Sequence, residues 1–202
     1  DTVRRQRQMC IRDSHKADIK INMKVEDFVN ASMEHFDGQD NKGKWDPKFV
    51  SKKRKEWILQ ATQEFPGVSK IIRAVEEILP QDTIIYSDMT QFAYLAKEIW
   101  DMKKPNHWHH PYGFGTLGYA LPAAIGGCVA RPEMPTIAIA GDYGFQYTMQ
   151  ELGTAVELQL SLPILIWDNQ KLKAIEDSMI AAQIAPNSVQ ALNPDFCKLA
   201  ES

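Results

Sequence analysis

The stretch 136–169, TIAIAGDYGFQYTMQELGTAVELQLSLPILIWDN, decides the fold. It opens on a continuous apolar run, TIAIA, passes through a segment of helical spacing, TMQELGTAVELQL, and ends on a second apolar run, LPILIWDN. Short apolar runs without polar alternation are the mark of strands buried on both faces of a parallel sheet. The spacing predicts strands over 136–140 and 163–167 joined by a helix over 147–160. Such a crossover brings the carboxyl ends of both strands to one edge, where ligands bind in α/β sheets. Gly141 and Asp142 leave the first strand at that edge, and Asp168 and Asn169 leave the second.

The same texture extends towards the amino terminus. PGVSKIIRAVEEILP (66–80) carries apolar residues at 68, 71, 72, 75, 78 and 79, a helical period closed by proline. TIIYSD (83–88) reads as a strand, TQFAYLAKEIW (90–100) as a helix, and 119–130 as a helix of small residues after a glycine-rich turn. The fold class expected is α/β, a parallel sheet with helices on both faces. Before residue 65 the pattern is different. Residues 18–36 read as a short strand and a helix, and DGQDNKGKWDP (37–47) as a loop of turn formers. Residues 47–64 read as a linking helix whose basic run, Lys48, Lys52, Lys53, Arg54 and Lys55, is a solvated face rather than a nucleic-acid patch. Residues 1–14, DTVRRQRQMCIRDS, lead into no periodic segment and resemble translated adaptor sequence; they are set aside as non-native.

Composition agrees with an ordinary globular chain. Of 202 residues, 44% are hydrophobic and 24% charged, enough apolar material for a real core. A net charge of −3 gives no reason to expect nucleic acid, and no apolar run reaches the roughly 20 residues of a membrane span. Three cysteines, far apart and without metal spacing, suit a reducing, cytoplasmic setting.

Asp142 and Asn169 are the residues with chemistry to offer. A carboxylate and an amide oxygen are hard ligands, suited to a Mg²⁺ that fills its other positions with water, backbone carbonyl and phosphate. One acid leaves positive charge over, so such a site attracts an anion. The rival is a dinucleotide module, because Gly113, Gly115 and Gly118 satisfy GxGxxG. That fingerprint needs a hydrophobic strand directly before it, and the approach here is KKPNHWHHPY.

Three stretches in this order, GFGTLGYALPAAIGG, then GDYGF, then WDNQ, resemble the diphosphate-binding domain of thiamine-diphosphate enzymes, within the acetolactate synthase and 2-oxo acid decarboxylase superfamily. The resemblance implies an incomplete cofactor domain over 65–202, with 15–64 as the end of a middle domain and its linker. It implies two cofactors, thiamine diphosphate and Mg²⁺. Asp142 and Asn169 would hold the metal by side chains and Lys171 by its backbone carbonyl. Gly141, Tyr143, Gly144 and Phe145 would lie at the diphosphate, as would Met89, Thr90, Gln91 and Phe92. Gly115 would accept a hydrogen bond from the aminopyrimidine through its carbonyl, and Leu117 would keep the cofactor bent. A small-molecule 2-oxo acid is the implied substrate, decarboxylated or joined to a second carbonyl compound; a decarboxylase of a guanidino or other bulky 2-oxo acid and an acetolactate synthase-like carboligase are both open. The full-length protein would be a homodimer or homotetramer, without nucleic-acid or membrane partners. The carboxylate that activates the cofactor would come from a separate N-terminal domain, so these 202 residues are expected to be inactive alone. An inactive structural homologue is a further alternative.

The departures from the family pattern are specific. Tyr143 stands where the metal motif has glycine, and Asp168 where it has a first Asn. Position 175, near where simple pyruvate decarboxylases carry a glutamate, is Ile175, with Glu176 next; a solvated role is expected for Glu176 beside Lys173 and Asp177. His107, His109 and His110 precede the glycine-rich turn, where they could be ligands or proton donors; loop histidines are more often neither.

Overall fold

The computed structural model describes residues 18–37 and 46–202. Residues 1–14, and most of the loop expected over 37–47, lie outside the described residues. The chain divides after Val50 into two compact units. In the first, helix α1 (Val25–Phe36) has no buried residue. The strand expected before it is not formed: residues 18–24 carry no regular structure and are exposed. The DIKIN run alternates in the right way, but a strand exists only by pairing with a neighbour.

The second unit begins within α2 (Pro47–Glu64) and continues through α3 (Pro66–Ile78), β1 (Ile84–Ser87), α4 (Gln91–Ile99), β2 (Trp108–His109) and α5 (Ala120–Ala130). Then come β3 (Thr136–Gly141), α6 (Asp142–Thr148), a 3₁₀ turn (Met149–Glu151), α7 (Leu152–Glu157), β4 (Ile164–Trp167), α8 (Lys173–Ala181) and α9 (Phe196–Glu201). The four strands form one parallel sheet in the order β2-β1-β3-β4, as the β-α-β reading requires. Two details depart from that reading. The expected single helix 147–160 begins at Asp142, directly on the end of β3, and is broken by the 3₁₀ turn. A two-residue strand, β2, lies in the segment read as a loop, paired to β1 through Ile85↔Trp108 and Tyr86↔His109.

Strand β3 shows why the sheet is covered on both faces. Its side chains alternate, so Ile137 and Ile139 enter one core with Ile72, Val75, Phe92, Leu95 and Ile99. Ala138 and Ala140 face the other way, into a second core with Ala120, Leu121, Ala124, Ile125 and Phe145. Alanines on the strand and small residues on α5 let that helix approach closely. At Gly127 a β-carbon would sit 2.5 Å from the Tyr86 ring, so the smallest residue is required there. Each fully buried Ile contributes about 1.5–3 kcal/mol of transfer energy, which makes the Ile face the larger contributor. By contrast β4, at the edge, is half-buried along its whole length.

Candidate functional site

The carboxyl ends of β1, β3 and β4 lie side by side. Gly141 pairs with Trp167 at the last rung, so the chain leaves β3 at Asp142 and β4 at Asp168 from neighbouring positions. Asp142 is the first residue of α6, buried at 3% exposure, and Gly141 in extended conformation caps the helix. The turn from strand to helix therefore contains no loop.

Asp88, the residue after β1, organises the edge. Its Oδ2 accepts from the Gly118 N–H at 3.0 Å, and its Oδ1 from the N–H groups of Tyr119 and Ala120 at 2.8 Å each. Helix α5 has no capping side chain of its own; this carboxylate from another strand satisfies its first donors. Burial pushes the Asp88 carboxyl up, while the three N–H groups pull it down. Gly118 takes up the positive φ of 81° that turns its N–H inward. Gly144 packs so closely on Asp88 that a β-carbon there would be driven into Oδ2.

The other sequence-predicted residues gather around this knot. Met89 Cε would lie 3.2 Å from a β-carbon on Gly115, and Thr90 Cγ2 3.3 Å from one on Gly141, so the 89–92 turn touches both the glycine turn and the β3 end. Thr90 Oγ1 accepts the Ala93 N–H at 2.9 Å, capping α4. Gln91 is half-buried, whereas Phe92 is wholly enclosed and packs on Trp167 with ring centres 5.9 Å apart; it supports the turn from inside the core. Gly115 is exposed with φ 70°, and Leu117 is half-buried. Tyr143 is half-buried between buried Asp142 and Gly144, and Phe145 is buried against Phe196.

At β4, Asn169 is half-buried and its Oδ1 accepts the Lys171 N–H at 3.3 Å. Lys171 then forms an isolated antiparallel bridge with Gln190. That bridge uses the Gln170 carbonyl and the Leu172 N–H, so the Lys171 carbonyl takes no part in it. Glu176 reverses its expected solvated role. It is the one buried residue of α8, accepting from Lys171 Nζ at 3.0 Å and Gln190 Nε2 at 3.1 Å, and those bonds, Gln190 first, hold its carboxyl below the usual range. Lys173 and Asp177 do pair on the exposed side of the helix.

One residue escaped the sequence reading altogether. Asn193 Nδ2 donates to Asp142 Oδ2 at 2.7 Å and to Asp168 Oδ1 at 2.8 Å. Its Oδ1 accepts from Gln146 Nε2 at 3.0 Å. Nothing in its surroundings, ALNPDF, marks it beyond a turn former before a proline.

The histidines have structural partners. His107 Nδ1 lies 2.8 Å from the Pro105 carbonyl, and His109 stacks on Tyr86 at 4.7 Å. His110 is buried beside Ser87. The Trp108 indole can only donate, so Ser87 Oγ accepts from it at 2.7 Å and donates its own hydrogen to His110 Nδ1 at 2.9 Å. The ring proton of His110 then sits on Nε2, which is buried without a partner among the described residues. Burial, and after it the charge of Lys97, lowers His110 to about 4. Among the described residues no three His, Cys, Asp or Glu side chains gather as a metal cluster, and no helix is long and apolar enough to cross a membrane.

Known proteins share much of this sequence and its fold. The chain is 43% identical over 130 residues to a probable 2-ketoarginine decarboxylase of Pseudomonas aeruginosa, covering 64% of this chain and 23% of that protein. It is 32% identical over 161 residues to the mitochondrial acetolactate synthase catalytic subunit of Saccharomyces cerevisiae, covering 76% of this chain and again 23% of the relative. The matched part thus spans about a quarter of these relatives. A thiamine diphosphate-dependent 4-hydroxybenzoylformate decarboxylase from Rhodococcus jostii superposes with a TM-score of 0.61 at 24% identity, over 66% of this chain and 25% of that one, a likeness of fold. The family described as thiamine pyrophosphate enzyme, C-terminal TPP binding domain, matches residues 88–202, more than half of the sequence. The chain belongs to that thiamine diphosphate-binding family.

Proposed function

We propose that this chain is the diphosphate- and Mg²⁺-binding part of a thiamine-diphosphate-dependent 2-oxo acid decarboxylase or carboligase, a lyase or transferase when full length. The observation that carries the reading is the grouping of Asp142, Asn169 and the bridge-free Lys171 carbonyl where β3 and β4 end together. All three offer hard oxygens, the donor set Mg²⁺ prefers, and only one is charged, so a bound diphosphate completes the balance.

In this assignment Asp142 and Asn169 hold the cation by side-chain oxygens and Lys171 by its carbonyl. Gly141, Tyr143, Gly144 and Phe145, with Met89, Thr90 and Gln91, form the ground on which the diphosphate rests, and Phe92 supports that turn from inside the core. Gly115, exposed and in a left-handed turn, offers its carbonyl to the aminopyrimidine, and Leu117 props the cofactor. Thiamine diphosphate, when bound, supplies the electron sink that lets a 2-oxo acid lose carbon dioxide. The higher identity to the 2-ketoarginine decarboxylase than to the acetolactate synthase favours decarboxylation of a guanidino or similarly bulky 2-oxo acid over carboligation. We further assign a homo-oligomer, completed by a separate activating domain, and a cytoplasmic location in keeping with free Cys128 and Cys197. The chain alone is then expected to bind cofactor weakly and to release no carbon dioxide.

Titration calorimetry with millimolar Mg²⁺ tests this. Thiamine diphosphate binding that needs the metal and disappears in Asp142→Ala supports the reading. Metal-independent binding of a nicotinamide dinucleotide at the glycine turn overturns it.

A further inference from the structure

We infer that Asn193 is a positioning residue for the cation carboxylate, an inference that rests on the Mg²⁺ site just proposed. Asp142 has two oxygens, and Asn193 Nδ2 holds Oδ2 at 2.7 Å. That bond fixes the carboxylate's rotation and leaves Oδ1 as the oxygen presented to a cation. The second N–H of the same amide runs to Asp168 Oδ1 at 2.8 Å. Asp168 Oδ1 also accepts the Gln170 N–H at 3.1 Å.

The amide's orientation follows from its neighbours. Between two carboxylates only an N–H₂ group fits, because an amide oxygen would face two anionic oxygens. The remaining amide oxygen takes the Gln146 Nε2 hydrogen bond at 3.0 Å, and Gln146 Nε2 also reaches the Asp142 carbonyl at 3.2 Å. Gln146 thus locks Asn193 from the α6 side, one turn below Asp142. Without the amide, two carboxylates that share a single donor would repel one another and rotate apart. Asn193 holds them together by neutral donors and spends no ligand position on the metal.

The connection matters for this chain in particular. Asp168 stands where related metal motifs have a neutral Asn, so the edge carries one more negative charge than the pattern expects. Asn193 satisfies that charge from the arm that follows α8 and bridges Lys171 to Gln190. The arm therefore secures both ends of the cation site, through Gln190 at Lys171 and through Asn193 at Asp142.

The test measures binding and folding separately, on the same 202-residue chain. Asn193→Ala is expected to weaken Mg²⁺-dependent thiamine diphosphate binding at least tenfold by calorimetry. It is also expected to broaden or abolish the signal of bound Mn²⁺ in electron paramagnetic resonance. Gln146→Ala, which frees the amide without removing it, gives a smaller loss in the same direction. A purely structural Asn193 would instead lower the metal-free melting temperature and leave the dissociation constant and the Mn²⁺ spectrum within twofold of wild type; that result overturns the inference. Tighter Mg²⁺ binding by Asn193→Ala overturns it too, because it would make the amide a competitor of the cation. A wild-type chain that binds no cofactor with Mg²⁺ sinks the functional reading and this inference with it, whereas wild-type binding unaffected by Asn193→Ala sinks the inference alone.

Discussion

Gly144 and Asp88 are in contact across the sheet edge, and the contact leaves no room for a side chain at 144. The residues come from α6 and from the end of β1, which are far apart in sequence. The same carboxylate holds the N–H groups of Gly118, Tyr119 and Ala120. One glycine and one buried acid therefore tie together β1, the glycine turn and the helix that carries Asp142.

A methyl group at Gly144 must push Asp88 off those three donors. Gly144→Ala is expected to destabilise the fold by about 1–3 kcal/mol, the usual cost of overpacking, even though alanine ordinarily stabilises a helix. Gly113→Ala is the control: nothing lies within 4 Å of its would-be β-carbon and its φ is not positive. That variant should stay within about 0.5 kcal/mol of wild type in urea unfolding. Equal midpoints for the two would remove the packing account.

Asp88→Asn tests the carboxylate itself. An amide keeps one acceptor oxygen and turns an N–H₂ towards backbone donors that Asp88 now satisfies on both oxygens. Leaving a buried donor unpaired costs about 1–3 kcal/mol. Loss of stability should be accompanied by faster amide exchange at Tyr119 and Ala120. Unchanged exchange there would show that α5 is capped in some other way.

These relationships explain what was legible in the sequence. The runs TIIYS, TIAIA and PILIW announced their strands because burial on both faces removes polar residues, and the cores on either side of β3 bear that out. Strand β2 was not legible, since two residues in a His- and Pro-rich segment carry no period and pair only through the register of β1. The start of α6 was missed because Gly-Asp-Tyr-Gly reads as a turn, whereas Gly141 passes straight from ladder to helix cap. Glu176 was misread because its helix neighbours are charged, and its partners Lys171 and Gln190 lie on segments that only the fold brings together. Asn193 was invisible for the same reason, 51 positions from Asp142 in an irregular arm.

His110 makes stability depend on pH. Its folded value of about 4 lies below the ordinary 6.5, so between these values the unfolded chain binds a proton that the folded chain refuses. Stability is full above about 6.5 and falls as pH drops towards 4. The melting temperature should therefore drop more between pH 7 and pH 5 in the wild type than in His110→Asn, which keeps an acceptor for the Ser87 hydroxyl but does not titrate. Parallel pH profiles for the two proteins would contradict the buried, neutral ring.

Glu176 should act on the cation site through the segment it holds. Its carboxylate engages both members of the bridge, Lys171 by the ammonium group and Gln190 by the amide, and so restrains the strand exit that carries Asn169 and the Lys171 carbonyl. Glu176→Gln keeps the shape and removes the charge, so Lys171 Nζ loses its ion pair and Mg²⁺-dependent cofactor binding is expected to weaken by several-fold. The sign with pH is opposite to a group raised by burial. Because the folded value is held below the ordinary 4.5, this contribution is present above 4.5 and lost as pH falls below it. It should thus be constant across the neutral range, where the His110 contribution begins to vary. A Glu176→Gln chain that binds cofactor as tightly as the wild type, while melting lower, would confine Glu176 to the fold and leave the Lys171 segment positioned by the backbone bridge and the Asn169 turn.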